Sequence, residues 1–207
     1  MNIHEFYRPF LVYFRTKRMR EFQRLFRICS RALILDVGGG EMNWSLIHET
    51  PNVVFLNLRL PQKRSQTATW IIADGMFLPF KDQAFEVIFS NSVIEHLGSL
   101  ENQYVFSMEC QRVARTLYIQ TPNKGFPIEP HLITPFIHWL PKSIRRHLLR
   151  NFTLWGLITR PTQETCDNFL KEVRLLGSRE LSLLFPKAKI YKERFLILVK
   201  SIIAIQQ

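Results

Sequence analysis

The chain has 207 residues, 46% of them hydrophobic, and its 28 lysines and arginines outnumber 17 acids for a formal net charge of +11. That length and apolar content allow one sizeable core, hence one domain with extensions. No apolar run approaches the roughly 18 residues of a membrane span, and the basic balance directs the search toward anionic partners: nucleic acid, a lipid surface or an acidic substrate.

The opening residues 1–31 form a basic extension. Phe6, Phe10 and Phe14, then Met19, Phe22 and Phe26, recur at helical spacing among Arg15, Lys17, Arg18, Arg20, Arg24, Arg27 and Arg31. One or two amphipathic helices are expected. The favoured reading has them capping the core with a solvated outer face; the sharper one makes them an interfacial anchor on anionic lipid. Glu5, Arg8 and Arg15 interrupt what a secretion signal would need as its apolar region, so export is not expected. The cysteines, Cys29, Cys110 and Cys166, are an odd number with no CxxC pair, which fits a reduced compartment. A cytoplasmic protein is expected, with peripheral contact to the inner face of the membrane if the anchor reading holds.

From residue 32 onward, apolar runs alternate with polar or helical stretches, the pattern of βα units stacking into a parallel sheet. Strands are expected at 32–37, 53–58, 69–73, 85–90 and 116–120. A helix over 100–114 would bury Tyr104, Val105, Met108 and Val113. Past Thr121 the pattern breaks: Pro122, Pro127, Pro130, Pro135 and Pro141 exclude a continuous helix or central strand, so about 122–160 reads as a lid. Its basic run Lys142, Arg145, Arg146, His147 and Arg150 could meet phosphate or a membrane surface. A helix over 164–184, interrupted at Gly177, and two closing strands over 189–195 and 198–205 on the sheet edge complete the chain.

Four motifs carry the chemistry. Leu35-Asp36-Val37-Gly38-Gly39-Gly40 is a buried strand ending in an acid and then bare backbone. Ala73-Asp74-Gly75 with Leu78-Pro79-Phe80 follows the third strand, Phe85 to His96 runs along the fourth and past it, and Thr121-Pro122-Asn123 with Pro127-Ile128-Glu129-Pro130-His131 follows the fifth. Together they resemble the class I S-adenosylmethionine-dependent methyltransferases, and more narrowly the small-molecule branch called methyltransferase type 11. The resemblance implies a Rossmann-like, doubly wound α/β fold over 32–207: a mostly parallel seven-stranded sheet with helices on both faces, the N-terminal extension, and the lid inserted after the fifth strand.

It also implies S-adenosylmethionine as cofactor. Gly38, Gly39 and Gly40 would pass beneath its methionine and ribose, Asp36 would organise the turn near the amino group, and Asn57 would take the ribose position usually held by an acid. Asp74 would accept the adenine amine, with the Gly75 and Met76 backbone at the ring edge. Ser90 and Asn91 would line the methionine side. Met42 stands where the pattern usually has a further glycine.

Methyl transfer from a sulfonium needs alignment and exclusion of water more than acid–base chemistry, and a base only for a hydroxyl, acidic carbon or protonated amine acceptor. His96 with Glu95, and His131 with Glu129, are the candidates. The resemblance to quinone-directed relatives implies that Glu95 and His96 could contribute to a divalent metal site, but two donors are too few to make one, so no metal is expected. Phe126, Phe136, Ile137, Trp139, Leu140 and Trp155 would wall the pocket, favouring an amphiphilic or aromatic small-molecule acceptor. The alternatives are an RNA methyltransferase working through the basic surface and a non-catalytic cofactor-binding scaffold.

Overall fold

The computed structural model describes residues 8–47 and 51–207; Glu5 and Phe6 lie outside them, as do the side chains of residues 8–11. The strands are β1 (Leu33–Val37), β2 (Asn52–Asn57), β3 (Thr69–Ile72), β4 (Phe85–Asn91), β5 (Ala114–Pro122), β6 (Ile128–Glu129), β7 (Thr134–Pro135), β8 (Lys189–Phe195) and β9 (Leu198–Gln206). The helices are α1 (Arg8–Phe26), α2 (Glu41–Trp44), α3 (Leu100–Val113), α4 (Lys142–Phe152), α5 (Leu154–Thr159), α6 (Gln163–Glu172) and α7 (Ser178–Leu184), with short 3-10 turns at Ile94–Leu97 and Ile137–Trp139.

Seven strands form one sheet in the order β3-β2-β1-β4-β5-β9-β8. The first five pair in parallel, and β9 runs antiparallel between β5 and the edge strand β8. This is the doubly wound, mostly parallel α/β architecture expected. Strand alternation sends successive side chains to opposite faces. Leu35, Val37, Ile88, Leu117 and Ile119 meet Phe106, Cys110 and Val113 of α3 and Leu181 and Leu184 of α7. On the other face, Ile34, Val87, Phe89 and Tyr118 meet Met19 and Phe22 of α1.

α1 is therefore a core helix, and the described part of the extension forms a single helix. Phe22 is fully buried, its ring 5.0 Å from Phe26, 5.9 Å from Trp44, 5.0 Å from Phe89 and 5.3 Å from Tyr118. The segment expected as a lid packs against α6 in a small separate core of Leu132, Ile137, Leu149, Cys166 and Leu170. No described helix is long and apolar enough to cross a membrane.

Two expectations about helices need correction. α3 presents Gln103, Phe106, Ser107, Cys110 and Val113 to the core, whereas Tyr104, Val105 and Met108 are exposed. The buried Gln103 explains the inversion: its amide donates to Ile94 O at 2.9 Å and Arg174 O at 3.0 Å, so a satisfied polar residue faces inward. The helix expected over 164–184 ends at Glu172. The segment after it runs beside the end of β5, with Leu176 bridged to Asn123, and Gly177 caps the start of α7 instead of breaking one long helix.

Candidate functional site

The parallel strands β1, β2, β3 and β4 deliver their carboxyl ends to one edge, where an open α/β sheet receives ligands. Gly38 takes φ +75, a conformation that suits glycine, and its N–H donates to Leu56 O at 2.8 Å. A Cβ on Gly39 would stand 2.1 Å from the Asp36 carboxylate. The glycine turn is thus folded directly over that acid.

Asp36 is fully buried. Its Oδ2 accepts from Trp44 Nε1 at 2.8 Å, while Oδ1 has no partner. Burial raises its pKa to about 7 despite the hydrogen bond from Trp44, which acts the other way. Asn57 donates from Nδ2 to Gly39 O at 3.0 Å, so the amide fastens the turn in a way no carboxylate could. Ala73 N donates to Asn57 O at 3.1 Å, joining β3 to this frame. Asp74 accepts from Met76 N at 2.9 Å, closing the turn after β3, and a Cβ on Gly75 would meet Val37 at 3.1 Å.

Two hollows open along this edge. A cavity of about 600 Å³ is lined by Gly39, Gly40, Met42, Asn57, Arg59 and Trp70 among others. The second, about 370 Å³, is lined by Arg18, Asn91, Gln120, Phe126, Ile128 and Ile133 among others. Its polar floor comes from an unexpected source: the α1 residue Arg18 donates to Asn91 Oδ1, to Gln120 Oε1 at 2.9 Å and to Glu193 Oε1 at 3.2 Å. The signal for Arg18 was in the sequence, as a charge between Phe14 and Phe22 on the apolar stripe. Gln120 and Glu193 carried no signal, being brought there by β5 and β8. Ser92 and Ile133 both adopt positive φ beside this cavity, 60 and 49, and for the β-branched Ile133 such backbone is strained.

Several expected residues are placed differently. Ser90 is fully buried and donates to Val37 O at 3.1 Å, tying β4 to β1 below the surface. Met76 spends its N–H on Asp74, and its side chain lines an outer groove with Phe77, Tyr104 and Met108. Of the six aromatic and aliphatic lid residues expected as a pocket wall, Phe126 alone lines the cavity, joined by Ile128 and Ile133. Ile137 and Trp155 close the small core shared with α6, and Phe136, Trp139 and Leu140 are exposed.

The two histidines come together although 35 positions separate them. The His96 and His131 rings are edge-to-face with centroids 4.8 Å apart. His131 Nδ1 lies 2.6 Å from Glu129 Oε1, and Glu129 Oε2 accepts from Leu132 N at 2.6 Å. Burial and the neighbouring His131 hold His96 down at about 4. Burial opposes charge on His131 too, but Glu129 and then Glu95 outweigh it and keep His131 above its ordinary value. Glu95 is fully buried and raised by burial to about 7; Thr121 Oγ1 donates to its Oε2 at 2.8 Å.

Residues 47–116 match a family model described as a methyltransferase domain. Over that third of the chain the sequence is similar to a methyltransferase domain, and the whole chain has the fold of class I methyltransferases. The sheet order, the acid-and-glycine turn at β1 and the match through β2 to β5 agree on it. No curated protein matches the chain. Among solved structures, the PH0226 protein of Pyrococcus horikoshii OT3 is similar in fold at 14% identity, with 99% of this chain and 98% of that one covered and a TM-score of 0.57. The Burkholderia thailandensis 1,6-didemethyltoxoflavin-N1-methyltransferase, with its substrate and S-adenosylhomocysteine bound, follows at 9% identity, 92% and 76% coverage and a TM-score of 0.56. The [4+2]-cyclase SpnF shares the fold at 12% identity, 84% and 57% coverage and a TM-score of 0.53. The chain spans 46% of the length of a matched Galdieria sulphuraria structure.

The residues at this edge fit S-adenosylmethionine, whose demethylated form is bound in the Burkholderia structure. A buried carboxylate oxygen without a partner under a bare glycine turn suits an ammonium group, and the 600 Å³ cavity is of small-ligand size.

Proposed function

We propose that this S-adenosylmethionine-dependent methyltransferase acts on an amphiphilic or aromatic small molecule, lipid- or quinone-like, seated in the cavity at the ends of β4 and β5. The observation that carries the reading is that cavity's construction. Phe126, Ile128 and Ile133 give apolar walls, and Arg18, Asn91 and Gln120 give a polar floor. Such a lining takes an apolar body and orients one polar group. In the Burkholderia enzyme the same fold holds 1,6-didemethyltoxoflavin beside S-adenosylhomocysteine, so the fold has room for an acceptor of this size class.

When bound, S-adenosylmethionine supplies a methyl group already activated for displacement. Asp36 holds the ammonium end, Gly38 to Gly40 allow close backbone approach, and Asn57 offers its carboxamide oxygen to a ribose hydroxyl while its nitrogen keeps the glycine turn in place. The Asp74 turn receives the adenine amine. The roles of Ser90 and Met76 are structural. Ser90 fixes the depth of the β1–β4 floor, and Met76 anchors the Asp74 turn through its N–H. Asn91 and Arg18 orient the acceptor. His96 and His131 stand on the acceptor side, one residue along the chain from the cavity-lining Pro130 in the case of His131, and serve an acceptor that must lose a proton.

The lid's exposed Phe136, Trp139, Leu140 and Ile144 beside basic α4 support peripheral contact with anionic lipid from the cytoplasmic side. The test is incubation with radiolabelled S-adenosylmethionine and a cell extract, followed by fractionation. Label is expected in the organic-phase lipids and small aromatics; label confined to RNA would overturn this reading in favour of a nucleic-acid substrate.

A further inference from the structure

β8 and β9 are joined by a two-residue turn, Leu196-Ile197, closed by the pair Phe195 and Leu198. Leu196 and Ile197 are 84% and 83% exposed, more than any other large apolar side chain among the described residues, and Phe195 and Leu198 beside them are exposed too. Four consecutive apolar side chains thus stand in water at the end of a hairpin. We propose that this tip inserts into the surface of an anionic lipid bilayer and brings the cavity at the ends of β4 and β5 against the membrane. The inference carries the lipid contact proposed above to a second place on the molecule, and it rests on the amphiphilic-acceptor reading for the purpose of that contact.

The residues of the turn are unsuited to water. Two-residue hairpin turns ordinarily carry glycine, asparagine or aspartate, because a central residue takes positive φ. Leu196 takes φ 53, where a leucine is strained. Exposed apolar area and backbone strain both act against the hairpin, and no packing offsets them, since Leu196 and Ile197 belong to none of the hydrophobic clusters. A glycine followed by a polar residue would relieve both. An apolar medium around the tip accounts for the residues that stand there instead.

The charges behind the tip define that medium. Arg194 directly precedes the apolar four, and its Nη1 donates to Ile197 O at 3.0 Å, which holds a guanidinium against the turn. Lys192 stands three residues back from Phe195, about 10 Å along the strand, and Lys189 follows; both are exposed. The one acid of β8, Glu193, is turned inward, its side chain 7% exposed and 3.2 Å from Arg18. The exposed charges of β8 are therefore all positive. An apolar end with cations at headgroup depth behind it matches an anionic interface. The same charges disfavour a second copy of this chain as the occupant, because β8 is the sheet edge and its cations would face their counterparts across a paired edge.

The tip is also fixed to the cavity. Phe195 lines it together with Phe126 and Ile128, and its ring lies 6.1 Å from that of Phe14 on α1. Insertion of the tip thus presents the apolar walls of that cavity to the lipid.

The experiment measures sedimentation of the full chain with vesicles of phosphatidylglycerol mixed with phosphatidylcholine, and with vesicles of phosphatidylcholine alone. Binding to the first is expected, with affinity at least about tenfold weaker for the second. The double variant Leu196→Gly, Ile197→Ser should lose at least about tenfold in affinity for the anionic vesicles. Its thermal midpoint should hold or rise, since glycine suits the positive φ, which separates loss of the lipid contact from loss of the fold. Leu183→Ser, at a 71% exposed position on α7, should change vesicle binding less than about twofold. Anionic-vesicle binding that survives the double variant would overturn the hairpin assignment and leave the lid's lipid contact standing, whereas no binding to either vesicle would overturn both. A concentration-dependent dimer that the double variant dissolves, in place of vesicle binding, would overturn the assignment in favour of a second copy.

Discussion

Asp36 shows how a single buried carboxyl couples the cradle to pH. Its folded value of about 7 exceeds the ordinary 3.8, so the folded chain holds a proton that the unfolded chain releases. The sign follows from linkage: this group disfavours the fold progressively as pH rises from about 4 to about 7, and the full penalty stands above that. A bound ammonium reverses the preference, because it needs the carboxylate charged. Cofactor affinity measured by calorimetry is therefore expected to tighten about tenfold between pH 6 and pH 8. Asp36→Asn should flatten that dependence and raise the thermal stability of the ligand-free protein at pH 8. A wild-type affinity independent of pH would remove Asp36 from the ammonium role.

The glycines beside it are not equivalent. At Gly39 a methyl group would overlap the Asp36 carboxylate, whereas at Gly40 the nearest neighbour is Trp70 at 3.9 Å. Gly39→Ala should cost about 1–3 kcal/mol, as forced overpacking does, and abolish measurable cofactor binding. Gly40→Ala should leave stability nearly unchanged. The run of three glycines was plain in the sequence; which of them is indispensable was decided by where the Asp36 side chain turns.

At the scale of elements, α1 joins the sheet to the cavity at the ends of β4 and β5. The stripe of Phe14, Met19 and Phe22 is buried, and Arg18 sits within it because Glu193, Asn91 and Gln120 satisfy its guanidinium. Phe22→Ala removes a ring from a five-membered aromatic group and should cost about 3–5 kcal/mol in urea unfolding. Tyr13→Ala, on the outer face at 64% exposure, should stay within about 0.5 kcal/mol. Equal losses from the two substitutions would mean that α1 is not anchored through its inner face.

The same helix shows why the reading of α3 failed. In α1 the apolar stripe and the buried face coincide, so periodicity found the core side. In α3, Gln103 and Ser107 face inward and Tyr104, Val105 and Met108 face outward. A periodicity argument assumes that polar residues seek water, and it cannot anticipate backbone carbonyls waiting at Ile94 and Arg174.

For the whole molecule, the last strand is the keystone. β9 lies between β5 and β8 and contributes buried Ile202, Ile203, Ala204 and Ile205, and its partners in β5 are 79 to 89 residues earlier. Deleting residues 198–207 would leave β5 with an open edge and strip the core on both faces, so loss of the cooperative thermal transition is expected. A truncated chain that still melts cooperatively would show that the first five strands fold alone.

The βα rhythm from residue 32, the acid-and-glycine turn and the order of the strand-end motifs were legible in the chain because they are local. A strand breaking into bare backbone has the same meaning wherever it folds. The distribution of the remaining parts was not legible. Ser90 and Met76 became scaffold, most of the lid's aromatics turned away from the pocket, Arg18 arrived from the first helix, and His131 crossed to Glu95 and His96. Those outcomes depend on side chains that meet only after distant segments pack, and no spacing along the chain encodes such a distance. The residue types and their sequence thus determined that an acid-and-glycine cradle would form; the three-dimensional packing alone decided which groups line the second cavity and which two histidines meet.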